Sequence, residues 1–190
     1  QFAVAFDQSG NKLHRQVASI VIAEEYRRKA NLEDYALEAG GPVHTLSEFA
    51  KDFQEDSGSF ENKRIVFLHG LIRESEPVIA AEIMHFAQTL PTLPGTRVHV
   101  MTGNLKVAGD GLEALYCQAK VSGALFFKFT GALPTVYQIE NNGWEVEFRD
   151  EITDHSYRAV PDIIVVDETI VPSAYLAHLA EILRLDTDSA

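Results

Sequence analysis

Hydrophobic and polar positions follow two different rhythms along the chain. Between residues 64 and 129, apolar runs alternate with segments whose apolar positions recur every three or four residues. The apolar runs RIVFLH (64–69), RVHVM (97–101) and ALFFKF (124–129) are typical of strands covered on both faces. The intervening segments, about 77–90 and 110–121, have helical spacing, and Pro77 lies in a first turn, where its missing N–H costs little. This order predicts a parallel sheet with right-handed crossovers.

The rhythm changes after residue 130. TVYQIE (135–140) and WEVEF (144–148) alternate in hydrophobicity around an Asn-Gly turn, and SYRAV (156–160) fits a third antiparallel strand. DIIVVD (162–167) returns to the covered-strand pattern, and a helix is expected over about 173–185. The sequence therefore predicts an α/β fold. It is a Rossmann-like, nicotinamide-binding-type domain whose parallel sheet has an antiparallel meander inserted before its last strand.

The first 60 residues have a less regular pattern. Residues 1–6 and 17–23 predict strands, separated by the turn-forming DQSGN, and TLSEFAKDF (45–53) predicts an amphipathic helix capped by Thr45. The chain begins with Gln rather than Met and enters a strand-like run at once. We therefore expect a fragment of a longer protein or an engineered chain, and proteolytic processing would give the same appearance.

Charge and cysteine content disfavour several kinds of partner and site. A net charge of −12 disfavours nucleic acid and anionic lipid as partners. The single cysteine, Cys117, excludes an internal disulfide and any C-x-x-C metal site. The histidines have no metal-ligand spacing, and no apolar run is long enough to span a membrane. We expect a cytoplasmic protein without a metal site.

Several weak segments, taken in order, resemble the subunit-A family of heterodisulfide reductases, within the FAD-dependent pyridine nucleotide-disulfide oxidoreductase class. They are VASIVIAEE (17–25), VHTLSEF (43–49), GDGLEALYCQAKVSGALFFKF (109–129) and PDIIVVDETIVPS (161–173). The third matches at Gly109, Gly111, Glu113, Tyr116, Ala119 and Gly123. The resemblance implies electron transfer with FAD, NAD(P) as a second candidate cofactor, and partners in the rest of its chain or in other oxidoreductase subunits. It also implies a division into residues 1–60, belonging to a neighbouring flavin-type domain, and 61–190, an NAD(P)-binding-type domain.

The departures from the family pattern leave an alternative open. His69 stands where the family often has a cysteine, and Asn104-Leu105-Lys106 replaces Asp-x-Arg. Two glycine-bearing turns that let a flavin approach the backbone become Ala23-Glu24-Glu25 and Asp167-Glu168-Thr169. The alternative is a cofactor-free docking domain within an oxidoreductase complex. The sequence does not decide whether the chain is itself an enzyme, and it assigns no catalytic residue.

Five residues form the candidate cofactor site. His69, Gly70 and Arg73 lie in the turn between the first covered strand and its helix, where backbone N–H groups attract phosphate. Asn104 and Lys106 follow the next strand, where a dinucleotide would place its ribose. The turn lacks the G-x-G-x-x-G pattern. A purely structural turn is therefore the competing interpretation, with His69 in a structural hydrogen bond.

Overall fold

The computed structural model describes residues 2–19, 21, 26–105, 107–109, 111–139, 143–150, 153–171 and 173–184. The strands are β1 (Phe2–Gln8), β2 (Asn11–Val17), β3 (Arg27–Ala30), β4 (Val43–Thr45), β5 (Arg64–His69), β6 (Arg97–Thr102), β7 (Leu125–Lys128), β8 (Thr135–Gln138), β9 (Trp144–Arg149), β10 (Ser156–Ala159), β11 (Ile163–Val166) and β12 (Glu168–Val171). The α-helices are α1 (Leu46–Glu55), α2 (Pro77–Thr89), α3 (Leu112–Ser122) and α4 (Ala174–Leu183). Short 3₁₀ turns occupy Leu32–Tyr35, Ser57–Phe60 and Leu90–Thr92.

A five-stranded sheet in the order β4-β11-β5-β6-β7 forms the centre of residues 28–171. Every neighbouring pair in it is parallel. The strands predicted at 64, 97, 124 and 162 therefore lie side by side, and the predicted fold class is confirmed. The two neighbouring central strands β5 and β11 have the nearly continuous buried apolar sequence of a doubly covered sheet.

Helices cover one face of this sheet. Leu46 and Phe49 of α1, with Ile79 and Ile83 of α2, are buried in one cluster with the alternate strand residues that face them. Thr45 accepts a hydrogen bond from Glu48 N and completes a capping box, as the sequence predicts for this helix start. The buried stripe of each helix is what fixes its position on the sheet.

The antiparallel meander β8-β9-β10 covers the other face. Val146 and Phe148 of β9 are buried against Val66, Leu68 and the strand residues beside them. The predicted turn at 141–143 falls partly on residues 140–142, which lie outside the described residues. In the part of the chain that the structure describes, the sheet thus lies between a helical layer and the meander.

Residues 1–27 and 172–190 form a separate compact unit that contains β1, β2 and α4. Within it, β1 and β2 pair antiparallel around Ser9 and Gly10, both at positive φ. The predicted second strand at 17–23 is only partly tested: β2 ends at Val17, and the described residues Ala18, Ser19 and Val21 are not in a strand. Ile20 and residues 22–25 lie outside the described residues.

Three short strands, β3, β4 and β12, were not predicted. β4 joins the edge of the main sheet, and β3 pairs with β12 in a two-stranded sheet. β4 and β5, on either side of residue 60, therefore belong to one sheet. The division into 1–60 and 61–190 stays a prediction. None of the described helices has the length and apolar character needed to cross a membrane.

Candidate functional site

A crevice of about 560 Å³ lies at the carboxyl ends of β5, β6 and β7. Gly70, Arg73 and Asn104 line it, so the fold brings together three of the five residues predicted for a cofactor site. Lys106 lies outside the described residues. His69 does not line the crevice and is buried at the end of β5.

The backbone N–H of Gly70 is bound by a carboxylate of the protein itself. In open parallel sheets, ligands bind where the strand order reverses, which here is between β5 and β11. Asp167 follows β11 directly, and its Oδ2 accepts a hydrogen bond from Gly70 N at 2.6 Å. Both groups are buried. The anion-binding group of this turn is therefore occupied by an internal anion.

Burial and hydrogen bonds act in opposite directions on Asp167. Its other oxygen, Oδ1, accepts a hydrogen bond from Asn31 Nδ2 at 3.0 Å. Burial raises the pKa of Asp167 to about 6, against the lowering effect of the Gly70 and Asn31 hydrogen bonds. Burial, together with Asp167, also raises the pKa of the neighbouring Tyr35 phenol. The switch point is thus a desolvated, negatively biased environment, which is unfavourable for a pyrophosphate.

Arg73 is held by a second carboxylate. Its Nε lies 2.6 Å from Asp34 Oδ2, and its terminal nitrogen donates to Asp34 Oδ1 at 2.8 Å. This two-point geometry is the one in which a guanidinium would hold a phosphate. Because the Arg73 side chain is largely exposed, the pair contributes little to stability. It nevertheless engages the guanidinium that the sequence suggested for phosphate binding.

The start of α2 also offers little to an anion. Residues 70–76 separate it from β5, and its first residue, Pro77, has no N–H. Glu76 precedes it, with Oε1 accepting from Ile170 N at 3.3 Å and Oε2 buried without a hydrogen-bond partner among the described residues. A carboxylate therefore lies where a dinucleotide fold usually places its phosphate.

Gly103 serves packing between two turns. A Cβ at this position would lie 2.3 Å from the carbonyl oxygen of Gly70, and Gly103 N donates to the carbonyl of His69 at 3.3 Å. The turns after β5 and β6 thus contact each other through their backbones. This glycine is explained by the close contact of the turns without any ligand.

His69 has a structural hydrogen bond and one unsatisfied nitrogen. Its Nδ1 lies 3.2 Å from Thr102 Oγ1, whereas Nε2 is buried without a partner among the described residues. Burial lowers the pKa of His69 to about 4, so the ring is neutral at physiological pH. It cannot supply positive charge to a ligand.

Sequence analysis missed the two carboxylates that bind the predicted phosphate-binding groups. Asp34 lies in a 3₁₀ turn far along the chain from Arg73, and Asp167 is 97 residues from its partner Gly70. The feature of the sequence that could have pointed to Asp167 was the replacement of a small-residue turn by Asp167-Glu168-Thr169. Cys117 lies exposed on α3.

No family model and no curated protein matches the chain. Solved structures similar to it include the FAD-bound cadaverine monooxygenase DfoA of Erwinia amylovora, 12% identical, with a TM-score of 0.48 over 95% of this chain and 51% of that one. Histamine dehydrogenase from Rhizobium sp. 4-9 is 12% identical, with a TM-score of 0.49 over 84% of this chain and 24% of that one. The ornithine N-hydroxylase KtzI of Kutzneria sp. 744 is 16% identical, with a TM-score of 0.45 over 87% and 49%. The chain spans about half the length of these proteins or less.

Proposed function

We propose that the chain is a portion of an FAD-dependent oxidoreductase of the heterodisulfide reductase subunit-A type, in which this Rossmann-type domain binds no dinucleotide and serves as a docking domain. The observation that carries the proposal is the buried hydrogen bond from Gly70 N to Asp167 Oδ2. Because the phosphate-binding N–H already has an anionic acceptor, a pyrophosphate would have to displace it and share the space with a carboxylate. The FAD and the electron-transfer step then belong to other parts of the protein.

The mouth of the crevice favours protein contact over nucleotide contact. Ile72 and Leu133 both line it and are 48% and 42% exposed. Exposed branched aliphatic side chains beside a crevice are typical of a protein contact surface. The expected partner is another segment or subunit of the same oxidoreductase.

The family motif on α3 is compatible with a domain that keeps the fold without the cofactor. Gly111 and Gly123 adopt left-handed conformations at the two ends of the helix, and Ala119 is fully buried. Tyr116 packs edge-on against Phe126, with ring centroids 4.8 Å apart. These matching residues have structural roles, so their presence supports the relationship to the family and requires no bound ligand.

Thermal unfolding with added FAD, NADH or NADPH tests the proposal. We expect no change in the melting temperature of the wild-type chain with any of the three, because none of them binds. The test is sensitive, since a ligand that did bind, at about 100 Kd, would add about 2.7 kcal/mol to the free energy of unfolding. A saturable increase with any of them would contradict the proposal.

A variant pair tests the role assigned to Asp167. Asp167→Ala frees the Gly70 N–H, and we expect it to gain measurable protection by pyrophosphate that the wild type lacks. Asp162→Ala is the matched control, because Asp162 accepts a hydrogen bond from Arg64 N at 2.8 Å at the other end of the same two strands. Equal responses of the two variants would show that Asp167 does not exclude the anion.

A further inference from the structure

A second cavity, of about 450 Å³, lies between the sheet and the meander near the amino ends of β5 and β6. His99 and Phe127 line it from the sheet, and Phe148 and Tyr157 line it from the meander. All of these residues belong to the compact unit 28–171. The described residues that line the cavity include no aspartate or glutamate, although the chain as a whole has a net charge of −12.

Aromatic rings form the apolar part of this cavity. The ring centroids of Phe127 and Phe148 are 4.7 Å apart, and the rings of Phe148 and Tyr157 stack at 5.6 Å with an angle of 24°. Tyr157 is 42% exposed and Leu125, at the edge strand, is 52% exposed. The exposed ring and leucine give a flat ligand an apolar surface on which to lie.

Arginines provide the polar part. Arg64 and Arg97 are paired in register at the amino ends of β5 and β6, and Arg158 approaches from β10. Arg64 is held by Asp162 at 3.0 Å, and Arg158 lies 3.5 and 3.6 Å from two glutamates of β9. Within the described part of the chain, the guanidinium of Arg97 has no carboxylate partner. It is the cation available to a ligand.

We propose that this cavity binds a small organic anion with an aromatic body, whose carboxylate pairs with Arg97 while its ring lies against Tyr157 and Leu125. Burial of the ring removes apolar surface from water, and the guanidinium provides a charge-assisted contact that fixes the orientation. His99 is half-buried, and burial together with Arg97 lowers its pKa, so the ring adds a neutral hydrogen-bonding group. The site is independent of the crevice at the opposite end of the strands.

Calorimetric titration of the complete chain with 2-naphthoate tests this proposal, with the uncharged 2-naphthamide as the matched ligand. We expect saturable binding of 2-naphthoate and binding of the amide that is weaker by about tenfold or more, the effect of losing one charge-assisted contact. Arg97→Gln should weaken 2-naphthoate by a similar factor. Arg149→Gln, on β9 and paired with Asp154 outside the cavity, should leave it unchanged.

A second pair of variants keeps the test decisive if Arg97→Gln alters the fold. Leu125→Glu places a negative charge at the exposed edge of the cavity. Repulsion of the ligand carboxylate should reduce the affinity for 2-naphthoate by about tenfold or more, the same size of effect as losing one charged contact. Val121→Glu makes the same change at a side chain that is 89% exposed on α3 and should have no effect. Absence of 2-naphthoate binding to the wild type, equal binding of acid and amide, or equal effects of the cavity and control variants would overturn the proposal.

Discussion

At the residue scale, His69 and Asp167, two buried titratable groups at the carboxyl ends of β5 and β11, have opposite effects on the pH dependence of stability. Burial lowers the pKa of His69 from 6.5 to about 4, so the unfolded chain binds its proton first as the pH falls, and His69 destabilises the fold on acidification. Burial raises the pKa of Asp167 from 3.8 to about 6, so the folded chain binds that proton first and gains stability on acidification. The two windows overlap between about pH 4 and pH 6.

Because the two contributions nearly cancel in the wild type, we expect the free energy of unfolding to depend more strongly on pH in variants that lack one of the two groups. In Asp167→Asn, the free energy of unfolding should fall by about 3 kcal/mol relative to wild type between about pH 6.5 and pH 4, because His69 acts alone. In His69→Asn, it should rise by a similar amount between about pH 6 and pH 4, because Asp167 acts alone. Urea unfolding across this range measures both slopes.

Parallel slopes in the wild type and both variants would contradict the assigned pKa shifts. An informative control is Asp162→Asn at the other end of β11. The pKa of Asp162 is lowered by its hydrogen bond and ion pair with Arg64, so its stabilising contribution is present above the ordinary carboxyl pKa and is lost only as the pH falls below it. Its effect therefore lies at lower pH than that of Asp167.

Residue types at the crevice were predictable from the sequence, but their partners were not. The position of Gly70 and Arg73 after a covered strand follows from the apolar pattern. The acceptors that occupy them come from a 3₁₀ turn and from the end of β11, and only the parallel order of the sheet brings these segments together. A local sequence pattern holds no information on such long-range pairs.

At the element scale, the turns after β5 and β6 behave as one packed unit. We expect Gly103→Ala to lower the free energy of unfolding by at least about 2 kcal/mol, because the added Cβ would meet the backbone oxygen of Gly70, which has no flexible side chain to move. Gly58→Ala is the control, because its Cβ would lie 3.3 Å from the movable Asp56 Oδ1. Chemical denaturation compares the two; equal losses would show that the backbone contact is not the cause.

The capping box at the start of α1 provides a second test at this scale. Thr45→Ala removes the oxygen that accepts from Glu48 N at 3.2 Å, and we expect a loss of about 1 kcal/mol in the free energy of unfolding. Thr45→Ser retains the hydroxyl and should recover most of that loss. If serine and alanine were equally destabilising, the methyl group rather than the cap would be responsible.

Elements with a strong apolar period were predicted close to their observed bounds, whereas short or polar strands were not. β5 and α2 follow the pattern closely, because each has enough apolar residues to bury a face. β2 has seven mostly exposed residues, and β3 and β4 are only four and three residues long. Such strands depend on backbone pairing with a neighbour, which leaves little signal in side-chain hydrophobicity.

At the scale of the whole molecule, parallel strands give the sheet two chemically different ends. Carboxylates of Asp34, Asp167 and Glu76 gather near the carboxyl ends, where the crevice lies. Arginines gather near the amino ends, where the second cavity lies. The carboxyl ends are therefore unfavourable for an anion, whereas at the amino ends Arg97 is available to one because the other two arginines are paired with carboxylates.

The main sheet and both of its covering layers lie within residues 28–171, which leads to the last prediction. Because α1, α2, α3 and the meander supply the described residues that cluster against the faces of the sheet, we expect a fragment of residues 27–171 to fold by itself. Far-ultraviolet circular dichroism should show a cooperative thermal transition. Loss of that transition would mean that the sheet requires the other unit, and the inference that one self-contained domain carries both the crevice and the aromatic cavity would fail.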